Sequence, residues 1–145
     1  MQMQTMSPEE QAVWARVLGC GTAPGGVQPE QLLAMLRAAL TDCAGYQLLA
    51  RRCGGEPVFA ALARDEACAV RQLARLYHDR TGQWPEVTGQ EVSEPPTPAD
   101  CRESEEQAAA VYLEAADRTT AAEKTAFETL ARDALARLRA LEEAE

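Results

Sequence analysis

The chain of 145 residues is long enough to bury a core without disulfides or structural metals, and it suits one domain. Its formal net charge is −9 and no segment concentrates Lys and Arg, so we expect no nucleic acid as a partner. Only 5% of the residues are aromatic, and the abundant Ala, Leu, Arg and Glu predict an all-α protein. Without a secretion signal or an apolar run near ~20 residues, we expect no membrane association and a cytoplasmic location.

A short N-terminal helix is the first predicted element. Ser7 can cap it, Pro8 stands where a missing N–H costs nothing, and Glu10 can close a capping box. The glycines and the proline of "GCGTAPGG" end this helix. We therefore expect residues 1–26 to form a helix, at about 7–18, followed by a linker.

Four longer helices are predicted in residues 27–145. Apolar residues recur every three or four positions from Leu32 onward and again from Phe59 onward, with the turn "CGGEP" between the two series. Thr97 and Thr120 are placed to cap two further helices. The expected bounds are about 29–53, 57–80, 98–117 and 120–143.

The connection between the second and third helices is unusually long. Residues 82–100 are interrupted by prolines and glycines and show no period. Such a link can extend to roughly 60 Å, whereas a helix of 24 residues is about 36 Å long. The third helix can therefore begin at the opposite end from where the second stops, which gives two helical hairpins joined by one long crossover.

The two hairpins echo each other in sequence. The second helix carries "FAALARD" from Phe59 and the fourth carries "FETLARD" from Phe127, while "YQLLA" from Tyr46 is echoed by "YLEAA" from Tyr112. Two echoes in the same order, one in each half of the predicted bundle, indicate an internal duplication.

These landmarks resemble a known family. The pattern Y-x-L-L-A from Tyr46, then V-F-x-x-L-A-x-D-E from Val58, then "LYHDRTGQWP" from Leu76 is similar to the rubrerythrin-like branch of the ferritin-like superfamily, over about residues 30–143. The resemblance implies a ferritin-like four-helix bundle with two iron or manganese ions inside, used for peroxide reduction, oxygen activation or iron oxidation. It also implies the ligands, which are a Glu on each of two helices and Glu-x-x-His on each of the other two.

Few of those ligands are present in this chain. The second helix has Glu66, but Ala69 stands at the histidine position. The matching positions of the fourth helix hold Ala134 and Arg137. The single histidine of the chain, His78, lies twelve residues after Glu66, so a di-metal site with two histidines cannot be assembled within one chain.

The first and third helices also depart from the family pattern. Ala39 stands at the carboxylate position of the first helix, with Asp42 one turn later in a less certain register, and the third helix has Glu105. A guanidinium at a ligand position repels a metal cation and offers a partner to a buried carboxylate. We therefore expect Arg137 to pair with Glu66 or Glu105 in place of the metal; the alternative is a rotated fourth helix with Arg137 in solvent.

Glu66 interrupts an otherwise apolar helix face, so it is expected inside the bundle. One interpretation is a residual cation site of Glu66, Glu105 and Asp42, and the other is a polar remnant whose partners are structural.

The cysteines and the histidine are weaker candidates. Cys43 is on the core stripe of the first helix and could add a thiol ligand. His78 reads better as a surface residue at a helix end than as an acid–base group, and no base near Cys20 supports a reactive thiol there. The five cysteines lack any C-x-x-C pair, which favours reduced thiols over disulfides or a zinc knuckle.

Two functional hypotheses follow. The first is a non-enzymatic ferritin-like protein that has lost its metals, needs no cofactor, and acts as a binding or self-associating module, with a homodimer as the expected partner arrangement. The second is a metal-binding ferritin-like protein with altered ligands, using iron or manganese as a peroxidase, oxidase or storage protein. The first is preferred because the departures affect three of the four helices and include a positive charge.

Overall fold

The computed structural model describes residues 26–52 and 57–144, and these ranges contain four helices and no strand. The helices are α1 (Pro29–Arg52), α2 (Pro57–Thr81), α3 (Pro98–Arg118) and α4 (Ala121–Ala144). The expectation of four long helices and no strand is confirmed for the described residues, and each helix end lies within one residue of the expected position. The N-terminal helix expected at 7–18 lies outside the described residues.

The start of α3 follows the predicted chemistry. The Thr97 side chain accepts a hydrogen bond from the Asp100 backbone N–H at 3.1 Å, and the Asp100 carboxylate accepts one from the Thr97 N–H at 3.2 Å. This reciprocal capping box satisfies two backbone donors, and Pro98 follows the cap where its missing N–H is not needed. The start of α3 is therefore held firmly beside the end of the long link.

The helices pack as two hairpins, α1 against α2 and α3 against α4, and the hairpins meet through α2 with α4 and α1 with α3. Gly26, just before α1, lies against Arg118 and Thr119 at the end of α3. Arg80 near the end of α2 pairs with Glu123 in the first turn of α4 at 2.9 Å. Helices α1 and α3 are therefore antiparallel, and so are α2 and α4.

The link of residues 82–97 runs back along α1. Gly89 lies so close to α1 that an added Cβ would be 2.9 Å from the Thr41 backbone nitrogen. The Gln90 N–H donates to the Thr41 hydroxyl at 2.8 Å, and Pro96 lies against Gly45 further along α1. Helix α3 consequently begins at the end of the bundle opposite to where α2 ends.

The buried apolar side chains form two clusters along the bundle. The larger cluster includes Met35, Leu73, Tyr112 and Leu130. The smaller one consists of Tyr46, Leu49, Leu62, Ala63, Cys101 and Leu141. On every helix, at least one buried or half-buried charged residue falls between the positions that supply these two clusters, so a polar layer interrupts the core.

Charged residues cover the outer faces of the helices, including Arg64 and Arg71 on α2 and Glu103 and Glu106 on α3. Among the four described helices, none is both long enough and apolar enough to cross a membrane. Three large apolar side chains are exposed in the described ranges, namely Trp84, Leu113 and Leu135.

Candidate functional site

Four charged side chains, one from each helix, meet inside the bundle and are called the polar layer below: Asp42, Glu66, Glu105 and Arg137. Glu105, Glu66 and Arg137 are 0%, 1% and 2% exposed, whereas Asp42 is only half-buried. Their positions follow from the helical repeat, since each lies on the same inward stripe as the apolar core residues of its helix. Charges this deep require partners, because burial without them is costly.

Arg137 is the centre of the polar layer. Its Nε lies 3.0 Å from both carboxylate oxygens of Glu105 and 3.1 Å from Glu66 Oε1. Its Nη1 donates to Asp65 Oδ2 at 2.7 Å, near the surface end of the site. One guanidinium therefore contacts carboxylates from both α2 and α3, and these charge-assisted bonds tie α4 to both neighbours.

Glu105 has a further partner in Tyr46, whose hydroxyl donates to Glu105 Oε2 at 2.6 Å. Burial, followed by the negative charge of Glu105, raises the pKa of Tyr46, so this hydroxyl keeps its proton and remains a donor. The Glu105 carboxylate is thus satisfied from α1 and from α4 at once. It is a fully partnered group in the middle of the bundle.

Asp42 stands at the edge of the polar layer. The Ser104 hydroxyl lies 2.8 Å from each of its carboxylate oxygens. Burial raises the pKa of Asp42 to about 7; the Ser104 hydrogen bond opposes this shift, the charge of Glu105 adds to it, and Arg137 opposes it. Near neutral pH, Asp42 therefore exists as a mixture of the acid and the carboxylate.

Glu66 is partnered less well than Glu105. Burial is the main cause that raises its pKa well above the usual range, and the charge of Glu105 adds to it. Although Glu66 Oε1 is 3.1 Å from Arg137 Nε, it accepts no hydrogen bond among the described residues, because the single Nε–H points at Glu105. The Glu66 contact is therefore ionic only. Arg137 Nη2 is likewise buried with no hydrogen-bond partner in the described ranges.

The polar layer holds more negative than positive charge. Asp42, Glu66 and Glu105 each offer a carboxylate oxygen within 4.8 Å of the others, and Arg137 is the one cation among the four residues. Like charges this close cannot all ionise cheaply in a buried site. The raised pKa values of Asp42 and Glu66 are the expected response, because a bound proton relieves the repulsion.

A small cleft connects the polar layer with the surface. It has a volume of about 140 Å³ and lies between α1, the start of α3 and the long link. Asp42 is part of both the cleft and the polar layer, whereas Glu66 and Glu105 do not line the cleft. The residues around the cleft are Thr41, Asp42, Gly45, Tyr46, Val92, Pro96, Asp100, Cys101 and Ser104.

The residues singled out in the sequence thus separate into two groups. Asp42, Glu66, Glu105 and Arg137 come together, and Arg137 is 2% exposed rather than in solvent. Three further positions at which the family resemblance would place ligands hold buried alanines, Ala39, Ala69 and Ala134.

The remaining candidates lie outside the polar layer. The Cys43 thiol donates to the Ala63 carbonyl at 3.4 Å instead of joining the carboxylates. His78 stacks on Trp84, with ring centroids 4.2 Å apart, near the end of α2. Burial raises the pKa of the Cys101 thiol to about 12, so this cysteine stays protonated. Cys20 lies outside the described residues.

Three contacts of the site were missed by the sequence reasoning. Asp65 and Ser104 each stand one residue before a polar-layer carboxylate, in "RDEA" and "ESEE", and Tyr46 was noted only as a landmark of the repeat. A residue adjacent to an inward-pointing one is usually assigned to the helix flank. Long or flexible partners can nevertheless reach it, as Arg137 reaches Asp65.

No family model, no curated protein and no solved structure matches this chain. The chemistry of the polar layer is therefore read from its own groups. Carboxylates can hold cations or protons, and a guanidinium can hold carboxylates. The four residues of the layer are three carboxylates and one guanidinium, so its chemistry is that of ion pairing, proton binding or the binding of a hard cation.

Proposed function

We propose that the chain is a rubrerythrin-like member of the ferritin-like superfamily in which an arginine has replaced the metal ions, and that it acts as a non-enzymatic binding or self-associating module. The observation that carries this proposal is the Arg137 guanidinium, which lies 3.0 Å from Glu105 and 3.1 Å from Glu66 in the middle of the bundle. These two carboxylates are the ones that the family resemblance assigns to a metal.

The burial pattern supports the internal duplication on which the proposal depends. Five buried positions of α2 are each followed, 68 residues later, by a buried position of α4, as Leu62 is by Leu130. The five α2 positions are Leu62, Ala63, Glu66, Ala69 and Leu73, and their α4 counterparts are Leu130, Ala131, Ala134, Arg137 and Leu141. Equal burial at equal spacing is what two copies of one hairpin would give.

The other two helices follow the same rule with a spacing of 66. Met35, Ala39, Tyr46 and Leu49 of α1 and Cys101, Glu105, Tyr112 and Ala115 of α3 are all buried. Glu105 thus corresponds to Ala39, Glu66 to Ala134, and Arg137 to Ala69. In each pair one member is charged and the other is alanine. Because Arg137 is a cation, only Glu66 and Glu105 of the six expected ligand positions offer a ligand atom.

The replacement has a direct electrostatic consequence. Arginine remains charged at all relevant pH values. Burial is the largest single influence on the pKa of Arg137 and lowers it, but the combined charges of Glu66 and Glu105 and the hydrogen bonds to Asp65 and Glu105 raise it further than burial lowers it. A divalent cation entering between Glu66 and Glu105 would meet this fixed positive charge. The guanidinium therefore disfavours metal binding and stabilises the carboxylates that remain.

The α3–α4 hairpin offers a surface for self-association, because two of the three exposed large apolar side chains of the described residues lie on it. Leu113 on α3 and Leu135 on α4 are 49% and 43% exposed, and each is an apolar side chain on a charged helix face. Burying them against a second copy would stabilise a homodimer. A dimer would have a mass near twice 15.7 kDa in light scattering, and Leu113→Glu would shift it towards the monomer.

A second candidate function has one observation in its favour. Carboxylate oxygens of Asp42, Glu66 and Glu105 lie within 4.8 Å of one another, and Glu66 Oε1 lacks a hydrogen-bond partner among the described residues. Oxygen ligands of this kind suit a hard divalent cation such as manganese, or ferrous iron. This alternative, a peroxidase, oxidase or storage protein, requires Arg137 to move away from both glutamates.

Metal analysis separates the two candidates. Protein without a His-tag would be purified after growth with iron, manganese, copper and zinc, and its bound metals counted by mass spectrometry. The proposal predicts well under one metal ion per chain and a melting temperature that does not change with chelators. One metal ion per chain that disappears in Glu66→Ala would establish the second candidate instead.

A further inference from the structure

The cleft beside the polar layer has the form of a small binding site. Its volume of about 140 Å³ leaves room for roughly five water molecules at ~30 Å³ each. It is partly open to solvent, and Asp42 is one of the residues that line it. A molecule of five or six non-hydrogen atoms could therefore reach Asp42 without any helix moving.

Asp42 has fewer hydrogen-bond donors than it can use. Ser104 lies 2.8 Å from both carboxylate oxygens but has a single hydroxyl proton, so it can satisfy one oxygen at a time. Nearby, Glu66 Oε1 is buried without a hydrogen-bond partner in the described part of the chain. The three carboxylates of the polar layer thus outnumber its one cation, Arg137, and the only donor that contacts Asp42 among the described residues is the Ser104 hydroxyl.

The rest of the cleft is mostly apolar. Val92 and Pro96 of the link form one wall, and Gly45 of α1, which is buried against Pro96, contributes no side chain. The Asp100 carboxylate, which also lines the cleft, is already used as an acceptor in the capping box of α3. The cleft therefore offers the Asp42 carboxylate, which has one hydroxyl donor, beside the aliphatic surface of Val92 and Pro96.

We propose that this cleft binds a small primary alkylammonium ion, whose ammonium group pairs with Asp42 and whose carbon chain lies against Val92 and Pro96. An ammonium group supplies three donors and one positive charge to a carboxylate whose one hydrogen-bond donor among the described residues is the Ser104 hydroxyl. The short aliphatic chain matches the apolar wall. The inference goes beyond the proposed function and does not depend on whether an arginine has replaced a metal.

The test is a titration of the full chain with n-butylammonium chloride at pH 8, followed by amide chemical shifts in NMR at constant ionic strength. We expect saturable shifts around Gly45 and Ser104. Asp42→Asn, which keeps the shape of the side chain, should weaken binding at least tenfold, and Asp79→Asn on the exposed face of α2 is the matched control. Val92→Phe should weaken binding by filling the cleft, whereas Glu91→Gln in the same link should not.

The outcomes are decisive in both directions. Saturable binding that Asp42→Asn abolishes and that 1-butanol does not reproduce would establish the site. Shifts that do not saturate, shifts that Asp42→Asn leaves unchanged, or equal binding of 1-butanol would overturn it. The last result would mean that the cleft is only an apolar surface and that Asp42 recognises no charge.

Discussion

At the scale of single residues, the polar layer depends on one side chain that has no substitute. Arg137 contacts Glu105 and Glu66 inside the bundle and Asp65 at its edge. A buried ion pair contributes little net stability compared with an apolar pair, but removing one partner leaves the others charged and buried. The cost of losing Arg137 should therefore exceed the net contribution of its contacts.

Arg137→Gln tests whether the loss of this one cation costs more stability than its contacts contribute. The variant keeps some hydrogen-bonding ability but leaves Glu66 and Glu105 without a cation, so we expect the free energy of unfolding to fall by about 3 kcal/mol at pH 8. The loss should shrink at pH 5, because the carboxylates can then take up protons. Urea unfolding at both pH values measures it. Arg139→Gln, on the exposed face of α4, is the control, and an equal loss in both variants would refute the role of Arg137.

Asp42 makes a second prediction at this scale. Its folded-state pKa of about 7 lies above the unfolded value of ~3.9, so the folded state holds a proton that the unfolded state releases. Its contribution to stability is thus complete below pH ~4 and is lost as pH rises through about 7. The loss should be on the order of 2 kcal/mol, since Asp42 is partly exposed.

Asp42→Asn should remove this part of the pH dependence and be more stable than the parent chain at pH 8. The measurement is the free energy of unfolding from pH 4 to pH 8 in both proteins, with Asp79→Asn as control. Identical pH profiles for the parent chain and Asp42→Asn would show that Asp42 ionises in the folded protein as it does in the unfolded one.

At the scale of elements, the helices were more predictable than their contacts. Pro29, Thr97 and the turn signals fix where helices begin, because capping and proline effects act within a few residues. The length of the link, residues 82–97, allowed a crossover. Its course along α1 could not be read from the sequence, since Gly89 and Pro96 carry no periodic signal that names their neighbours.

Gly89 gives the prediction at this scale. A Cβ added there would be 2.9 Å from the Thr41 nitrogen and 3.0 Å from Leu40 backbone and side-chain atoms. Because backbone cannot move aside as a side-chain end can, Gly89→Ala should lift the link from α1 and cost about 1–3 kcal/mol. Ser93→Ala, exposed in the same link, should change the unfolding free energy by less than about 0.5 kcal/mol.

At the scale of the whole molecule, the two hairpins combine similar helices with dissimilar interiors. The repeat in the sequence could be recognised because apolar spacing survives in both halves. The inward position of Glu66 was also expected, since it interrupts an apolar stripe, whereas the register of Asp42 and the rotation that places Arg137 inside were left open. Which oxygen each nitrogen contacts could not be predicted, because long side chains such as Arg137 can reach several partners from one backbone position.

We propose that the guanidinium of Arg137 occupies the place of a metal ion and prevents its binding. The most direct measurement is a Mn²⁺ titration of the metal-free parent chain and of Arg137→Gln and Arg139→Gln, by calorimetry and by the change in melting temperature. We expect no stoichiometric binding to the parent chain or to Arg139→Gln, and at least tenfold tighter binding to Arg137→Gln, whose three carboxylates are no longer neutralised. Stoichiometric Mn²⁺ binding by the parent chain, unaffected by the loss of Arg137, would contradict the claim.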